Sequence, residues 1–430
     1  MQSLTRPAVV VRYAGRQHWR AAPSLDSIER ARVPPRRRAL STSVSWWAYR
    51  LSTAYSFHGK PGSKRYTPGQ DQDDSGSDVD EADGDSSTIR EQPVVHARPD
   101  WRARQSRVVR QGFDKSHPVA QWRDAILRDC PWGAGEDWFM LDRTSAMATQ
   151  DAASQLAGKG GVTDAEAMET VVMAVADGVG GWTESGVDPS HFSQALMFYA
   201  HNSVNQGTTD PKKILEEAYD QVLKEKRVVA GSSTACVLAI SDAGQLRAAN
   251  LGDSTFLIIR PQPTSQASSE EIGVTYKVVH SQPAQVHFFN APRQLSKMPK
   301  GASKVGALID FPAHADLFET KLQSGDIVLA ATDGYSDNVH TQELEQLIAL
   351  VRKRHDEMDS NPAKAQEEGE TRSFAQLIAD VAVNFARLCS FKPDKTTPFE
   401  LEARRYGHRD LTGGKVDDVC VVVTVVDEIG

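Results

Sequence analysis

Acidic residues at the ends of apolar runs are the first chemistry this sequence offers. "GEDWFML" (135–141) sets Glu136 and Asp137 at the start of one such run, and "AVADGVGG" (174–181) closes another on Asp177. "LAATDGYSD" (329–337) does the same for Asp333, and "GGKVDDVCVVV" (413–423) opens the last run with Asp417 and Asp418. A carboxylate against a β-rich apolar segment is costly unless something neutralises it. One such acid reads as a turn or cap residue. Four occurrences at strand edges, poor in nearby basic residues, read as parts of one site. Gathered carboxylates repel one another and hold raised pKa values unless a cation is present. All-oxygen ligation selects a hard divalent ion, Mg2+ or Mn2+, over zinc or copper. Two such ions activate a water and clamp phosphoryl oxygens for in-line attack. In that reading Asp177 bridges the ions, and the glycines after it let the backbone, including the Gly178 carbonyl, approach an ion. The rival reading of "DGVGGW" as a nucleotide loop fails because GxGxxG spacing is absent.

The elements that must position these acids follow from pattern. "TVVMAVA" (170–176) is a short, nearly continuous apolar run with the length of a buried strand. Helices are predicted over 188–204, with Asp188 as cap and Pro189 in the first turn, and over 211–226. Short strands follow at 233–240, 245–252 and 254–260, the first two joined by the turn "SDAG". Another strand leads into Asp333. Two helices come next, one carrying Leu344, Leu347 and Val351, the other Phe374, Leu377, Val381, Phe385 and Leu388; a strand over 417–426 closes the chain. Residues 261–272 and 356–371 are polar and read as loops. Short turns make neighbouring strands antiparallel. Strands and helix pairs alternate in blocks, which predicts an α+β fold of antiparallel sheets covered by helix pairs.

Composition narrows the class. The 430 residues are 40 % hydrophobic and 25 % charged, a profile of packed globular protein, and the net charge of −8 argues against a nucleic-acid binder. No apolar run is long enough to span a membrane. Cys130, Cys236, Cys389 and Cys420 are scattered without a CxxC pair, so buried thiols are expected and a zinc site is not. The first fifty residues carry arginine at 6, 12, 16, 20, 30, 32, 36, 37, 38 and 50 against only Asp26 and Glu29. An arginine-rich, acid-poor leader of this kind reads as a mitochondrial transit peptide, assigned to residues 1–45. Residues 46–99, which include "QDQDDSGSDVDEADGDSS" (70–87), read as a solvated acidic linker. An EF-hand reading of that stretch fails on ligand spacing.

The motifs together resemble the metal-dependent serine/threonine phosphatases of the protein phosphatase 2C class, and more narrowly their mitochondrial branch. The matching stretches are "GED" (135–137), "VADGVGGWTESGVDPSHFS" (175–193), "GSSTACV" (231–237), "ANLGDS" (249–254), "HFFNAPRQLS" (287–296), "TDGYSDN" (332–338) and "GGKVDD" (413–418). The resemblance implies a phosphatase domain over 100–428, an antiparallel β-sandwich flanked on both faces by helix pairs, with a bimetal site at one end. It implies Asp177 as bridging ligand, Gly178 as carbonyl ligand, and Asp333 and Asp417 as direct ligands. Asp177, Asp333 and Asp417 are thereby the catalytic set, while Glu136 and Asp137 act through waters on the metals. Asp253 and Asp337 match positions that hold a further, weaker ion in some relatives, with a turn aspartate as the competing reading of Asp253. Asp418 is expected to support the site and not to bind metal. Val179 stands where many members carry a histidine, and Trp132 where many carry a phosphate-binding arginine. Arg293 is the basic residue proposed for the phosphate, a surface arginine being its alternative.

The implied activity is hydrolysis of phosphoserine and phosphothreonine in mitochondrial matrix proteins by a monomeric enzyme using Mn2+ or Mg2+. Its partners are phosphorylated proteins, with no nucleic acid and no membrane span. Two other functions remain open at this point. One is a catalytically weak scaffold that binds phosphoproteins, and the other is a phosphatase of small metabolites. A decayed enzyme would have lost a ligand, yet Asp137, Asp177, Asp333 and Asp417 are all present.

Overall fold

The computed structural model describes residues 49–60, 112–128, 133–146, 168–263, 274–302, 306–360 and 372–428. Among the described residues, ten strands form two five-stranded sheets, beside two short two-stranded ribbons. In chain order they are β1 (Tyr49–His58), β2 (Asp137–Ala146), β3 (Met168–Asp177), β4 (Ala235–Ser241), β5 (Gln245–Leu251), β6 (Thr255–Pro263), β7 (Val274–Ser281), β8 (Asp316–Lys321), β9 (Ile327–Ala331) and β10 (Val419–Glu428). One sheet has the order β1-β10-β9-β6-β7 and the other β8-β5-β4-β3-β2, with antiparallel pairing throughout. The helices are α1 (Pro118–Leu127), α2 (Ser190–Asn205), α3 (Pro211–Lys224), the single turn α4 (Asp333–Ser336), α5 (Thr341–Ser360), α6 (Phe374–Ser390) and α7 (Pro398–Arg405). The pair α2 and α3 covers the second sheet, and α5 and α6 cover the first. The expected α+β sandwich with helix pairs on both faces is what the chain forms.

Layering explains the continuous apolar runs. In β10, Cys420, Val422 and Val426 face the core shared by the two sheets, while Val419, Val421, Val423 and Val425 face the layer under α5 and α6. Period-2 alternation persists, but both faces are dry, so both carry valine. In β9, Val328 and Ala330 divide in the same way from Ile327, Leu329 and Ala331. At the start of α3, Asp210 accepts from the Lys213 amide at 2.9 Å with Pro211 in the first turn. At α2 the cap lies one residue later than predicted: Pro189 precedes the first helical residue, and Asp188 Oδ1 accepts from the Ser190 amide at 3.0 Å.

Three expectations need correction. The stretch Tyr49–His58, assigned from composition to the 46–99 linker, is the edge strand β1, paired along its whole length with β10. Leu51 and Phe57 fill the inter-sheet core, so the packed domain begins by residue 49 and not at 100. Strand β6 runs to Pro263 and helix α5 to Ser360, each a few residues into a predicted loop. The leader 1–45, the acidic stretch 70–87, Cys130 and Trp132 lie outside the described residues. No helix among the described residues is long and apolar enough to cross a membrane.

Candidate metal centre

The sandwich brings the predicted acids to one end because of strand direction and register. β2 starts there and β3 ends there, and their register sets Asp137 opposite Asp177. Asp253 sits in the turn between β5 and β6, Asp333 follows β9, and Asp417 and Asp418 precede β10. Carboxylate oxygens of Asp177, Asp253 and Asp333 all lie within 4.8 Å of one another.

Hydrogen bonds hold each arm in place. Asp137 is buried and its Oδ2 accepts from Thr332 Oγ1 at 2.7 Å; the same Thr332 oxygen accepts from the Cys420 amide at 3.0 Å. The Asp177 amide donates to Thr234 Oγ1 at 3.1 Å, and the Thr234 amide returns a bond to the Asp177 carbonyl at 2.9 Å. Asp418 is 2 % exposed, and accepts from the Lys60 amide at 2.6 Å and the Glu136 amide at 2.9 Å. It thereby joins the end of β1 to the turn before β2.

Gly178, next after Asp177, has a packing reason besides openness. A Cβ on Gly178 would stand 2.7 Å from the Pro189 carbonyl oxygen and 2.8 Å from that of Glu136. The Gly178 amide donates to the same Glu136 oxygen at 3.1 Å, as does Ser193 Oγ at 2.6 Å. Only a residue without a side chain lets the start of α2 close over this loop. Val179 donates its amide to the Ser232 carbonyl at 3.0 Å. Around Asp333 the packing is tighter still, since a Cβ on Gly334 would meet the Asp418 carbonyl oxygen at 1.8 Å.

Two basic residues reach the acids, which corrects the expectation of few cationic neighbours. Lys60, two residues beyond β1, places Nζ 2.9 Å from Glu136 Oε2 and 3.2 Å from Asp417 Oδ1. Lys415 Nζ donates to Asp333 and, at 2.9 Å, to Asp337 Oδ2, with Asp417 Oδ2 at 3.3 Å. Sequence reasoning missed Lys60 because the composition of its neighbourhood resembles a linker. Lys415 was in view within "GGKVDD", but a lysine between two glycines and two aspartates looks solvated. Arg293, by contrast, lies by Asp310: burial raises that carboxyl, but the His287 hydrogen bond and, further out, Arg293 hold it low overall.

The electrostatics are those of a site short of positive charge. Burial, then Asp333 and the other acids, push Asp177 well above the usual carboxylate range. Burial likewise raises Asp137 and Asp253, and lifts Asp337 to about 7 despite Lys415. Burial raises Glu136 too, though Lys60 opposes it. Asp417 is the exception: burial would raise it, but Lys415 and Lys60 bring it below its ordinary value. Asp253 Oδ1 is buried without a hydrogen-bond partner among the described residues. An all-oxygen donor set, mutual repulsion and an orphaned carboxylate oxygen together fit a hard divalent cation.

Comparison with known proteins gives the family of the chain. A family model described as Protein phosphatase 2C matches residues 145–368. The Protein phosphatase PTC7 homolog of Xenopus laevis is 36 % identical over 262 residues, covering 60 % of this chain and 77 % of its own. The human protein of the same name is 36 % identical over 261 residues, covering 60 % and 75 %. Among solved structures, that of the photosystem II phosphatase PBCP aligns with a TM-score of 0.45 at 22 % identity, over 68 % of this chain and 99 % of that one.

Proposed function

Because this chain belongs to the protein phosphatase 2C family and is a protein phosphatase, we propose that it removes phosphate from phosphoserine and phosphothreonine at the acidic cluster, using two Mn2+ or Mg2+ ions. The observation that carries this reading is the convergence of Asp177, Asp253 and Asp333 oxygens within 4.8 Å. Asp177, the Gly178 carbonyl, Asp333 and Asp417 would hold the ions, with Glu136 and Asp137 supporting them through water. Ions held there would lower the pKa of a water and neutralise phosphoryl oxygens.

The protein's own residues do the rest. Thr332 and Thr234 fix the directions of Asp137 and the Asp177 backbone. Lys60, 31 % exposed, brings a positive charge against Glu136 and Asp417 and takes the phosphate-binding role first proposed for Arg293. Burial works against its ammonium, but Asp417, Asp418 and Glu136 raise it overall, so it stays charged. A fixed ammonium at that position suits a phosphate dianion. Mitochondrial proteins are the proposed substrates, and the arginine-rich first fifty residues support a matrix location. The enzyme is proposed to act as a monomer.

The test is turnover of a phosphothreonine peptide by the full chain, with and without Mn2+, beside a panel of phosphorylated metabolites. Asp177→Asn and Asp333→Asn are expected to lower peptide turnover by more than about 100-fold, beyond what loss of an outer-shell contact costs. Metabolites turned over in preference to the peptide would move the function to small molecules. Folded protein that binds Mn2+ and turns over nothing would leave a phosphoprotein-binding role.

A further inference from the structure

We infer that the Lys415 ammonium is a tethered cation that occupies the place of a third metal ion, so that the enzyme works with two ions and its own lysine. The inference rests on the two-ion reading above and extends it to the part of the cluster formed by Asp253, Asp333 and Asp337.

Three observations carry it. The first is coordination. Lys415 Nζ donates to Asp333 and to Asp337 Oδ2 at 2.9 Å, and stands 3.3 Å from Asp417 Oδ2. An ammonium has three donors and no acceptor; two of them are bonded to Asp333 and Asp337, and Asp417 stands by as a third carboxylate in ion-pair range. A divalent ion held by Asp333 and Asp337 would have to displace it or meet its charge at contact distance.

The second is that the lysine is built into the site. Its backbone is clamped on both sides by Asn338, which is fully buried: the Lys415 amide donates to Asn338 Oδ1 at 3.0 Å, and Asn338 Nδ2 donates to the Lys415 carbonyl at 2.8 Å. Asn338 Nδ2 also donates to the Gly334 carbonyl at 2.9 Å, tying the lysine to the turn that carries Asp333 and Asp337. On the other side, a Cβ at Gly414 would fall 2.3 Å from the Cys389 carbonyl oxygen, so the chain just before Lys415 is pressed onto the end of α6. The ammonium lies 5.7 Å from the centre of the Phe399 ring, and the side chain is only 16 % exposed. Backbone and head group are both held, unlike those of a surface lysine.

The third is what stays open. Asp253 Oδ1 is buried and makes no hydrogen bond among the described residues, so one ligand of the third position remains free while Asp337 is taken by the lysine and Asp333 is shared between the lysine and the two-ion site. Removal of the ammonium therefore frees Asp337 and part of Asp333 beside an oxygen that already lacks a partner.

The experiment counts ions. Full-length protein, stripped of metal, is titrated with Mn2+ alone by calorimetry and by equilibrium dialysis. The wild type is expected to bind two ions, Lys415→Met three, and Lys415→Arg two, because arginine keeps the charge. Lys415→Met combined with Asp337→Asn is expected to return the count to two. Circular dichroism and thermal melting accompany each variant, and Lys415→Gln serves in the same role if Lys415→Met does not fold. Two ions or fewer in the neutral variants, with two in the wild type, would overturn the inference while leaving the phosphatase reading intact. Three ions in the wild type would overturn it as well. No Mn2+ bound by the wild type would remove the two-ion reading and this inference with it.

Discussion

Single atoms decide how much change the site tolerates. Gly334 follows Asp333, and any side chain there would run into the Asp418 carbonyl at 1.8 Å. Backbone cannot swing aside as a flexible side chain can. Gly334→Ala is therefore expected to cost about 3 kcal/mol, at the upper end for an overpacked position, read as a shift in the urea midpoint at unchanged slope. Asp418 gives a second case. Its buried carboxylate accepts from the amides of Lys60 and Glu136, so Asp418→Ala leaves two donors without a partner. Loss of stability is expected, and Mn2+ affinity should fall with it, because the turn carrying Glu136 and Asp137 is no longer held.

At the scale of elements, the edge strand β1 gives the sharpest prediction. Phe57 is 3 % exposed and its ring centre lies 5.4 Å from that of Phe139, across the core. Phe57→Ala is expected to destabilise the protein by about 3–5 kcal/mol, as other large-to-small core changes do. A protein beginning at residue 100 would lack β1 and Lys60 altogether. It would also expose the unpaired edge of β10, a long valine-rich strand, to other chains. Aggregation and lost activity are the expected result, checked by size-exclusion chromatography against the full chain. The strand escaped sequence reading because it stands beside a disorder-like tract, although Tyr49, Thr53, Tyr55 and Phe57 are residue types that favour strands and Leu51, Thr53, Tyr55 and Phe57 recur at strand period. Which sheet edge it joins is set by the partner it lies against.

For the whole molecule, the acids make stability depend on pH and metal together. Asp137, Asp177 and Asp253 have raised pKa values, and Asp337 stands at about 7. An acid with a folded pKa above its unfolded value binds its proton more tightly in the folded state. The stabilisation is complete below the unfolded pKa, near 4, and is lost as pH rises through the folded pKa. Metal-free protein should therefore melt at progressively lower temperature between about pH 5 and pH 8. Saturating Mn2+ should raise the melting temperature most at the high end of that range, since ions replace the lost protons. Scanning calorimetry at fixed ionic strength checks both, and a melting temperature that climbs with pH in metal-free protein would contradict the electrostatics described.

The sequence by itself determined the α+β class, the antiparallel sheets covered by helix pairs and the acids that belong to one site, while the family resemblance implied helix pairs on both faces and a site at one end. Those features are written locally, in valine runs such as that of β10, in Asp210-Pro211 at a helix start, and in aspartates that abut buried strands. Glycines 178 and 334 were likewise visible as positions without side chains. Only the tertiary structure decided what stands against each of them, since a 1.8 Å approach involves residues 84 apart in the chain. It also decided that Tyr49–His58 belongs to the domain and not to the linker, because the segment pairs along its whole length with β10. The two lysines depended on it most. A lysine's charge is identical on a solvated loop and inside a ring of carboxylates, and which of the two it occupies is set by partners that the chain reaches only on folding.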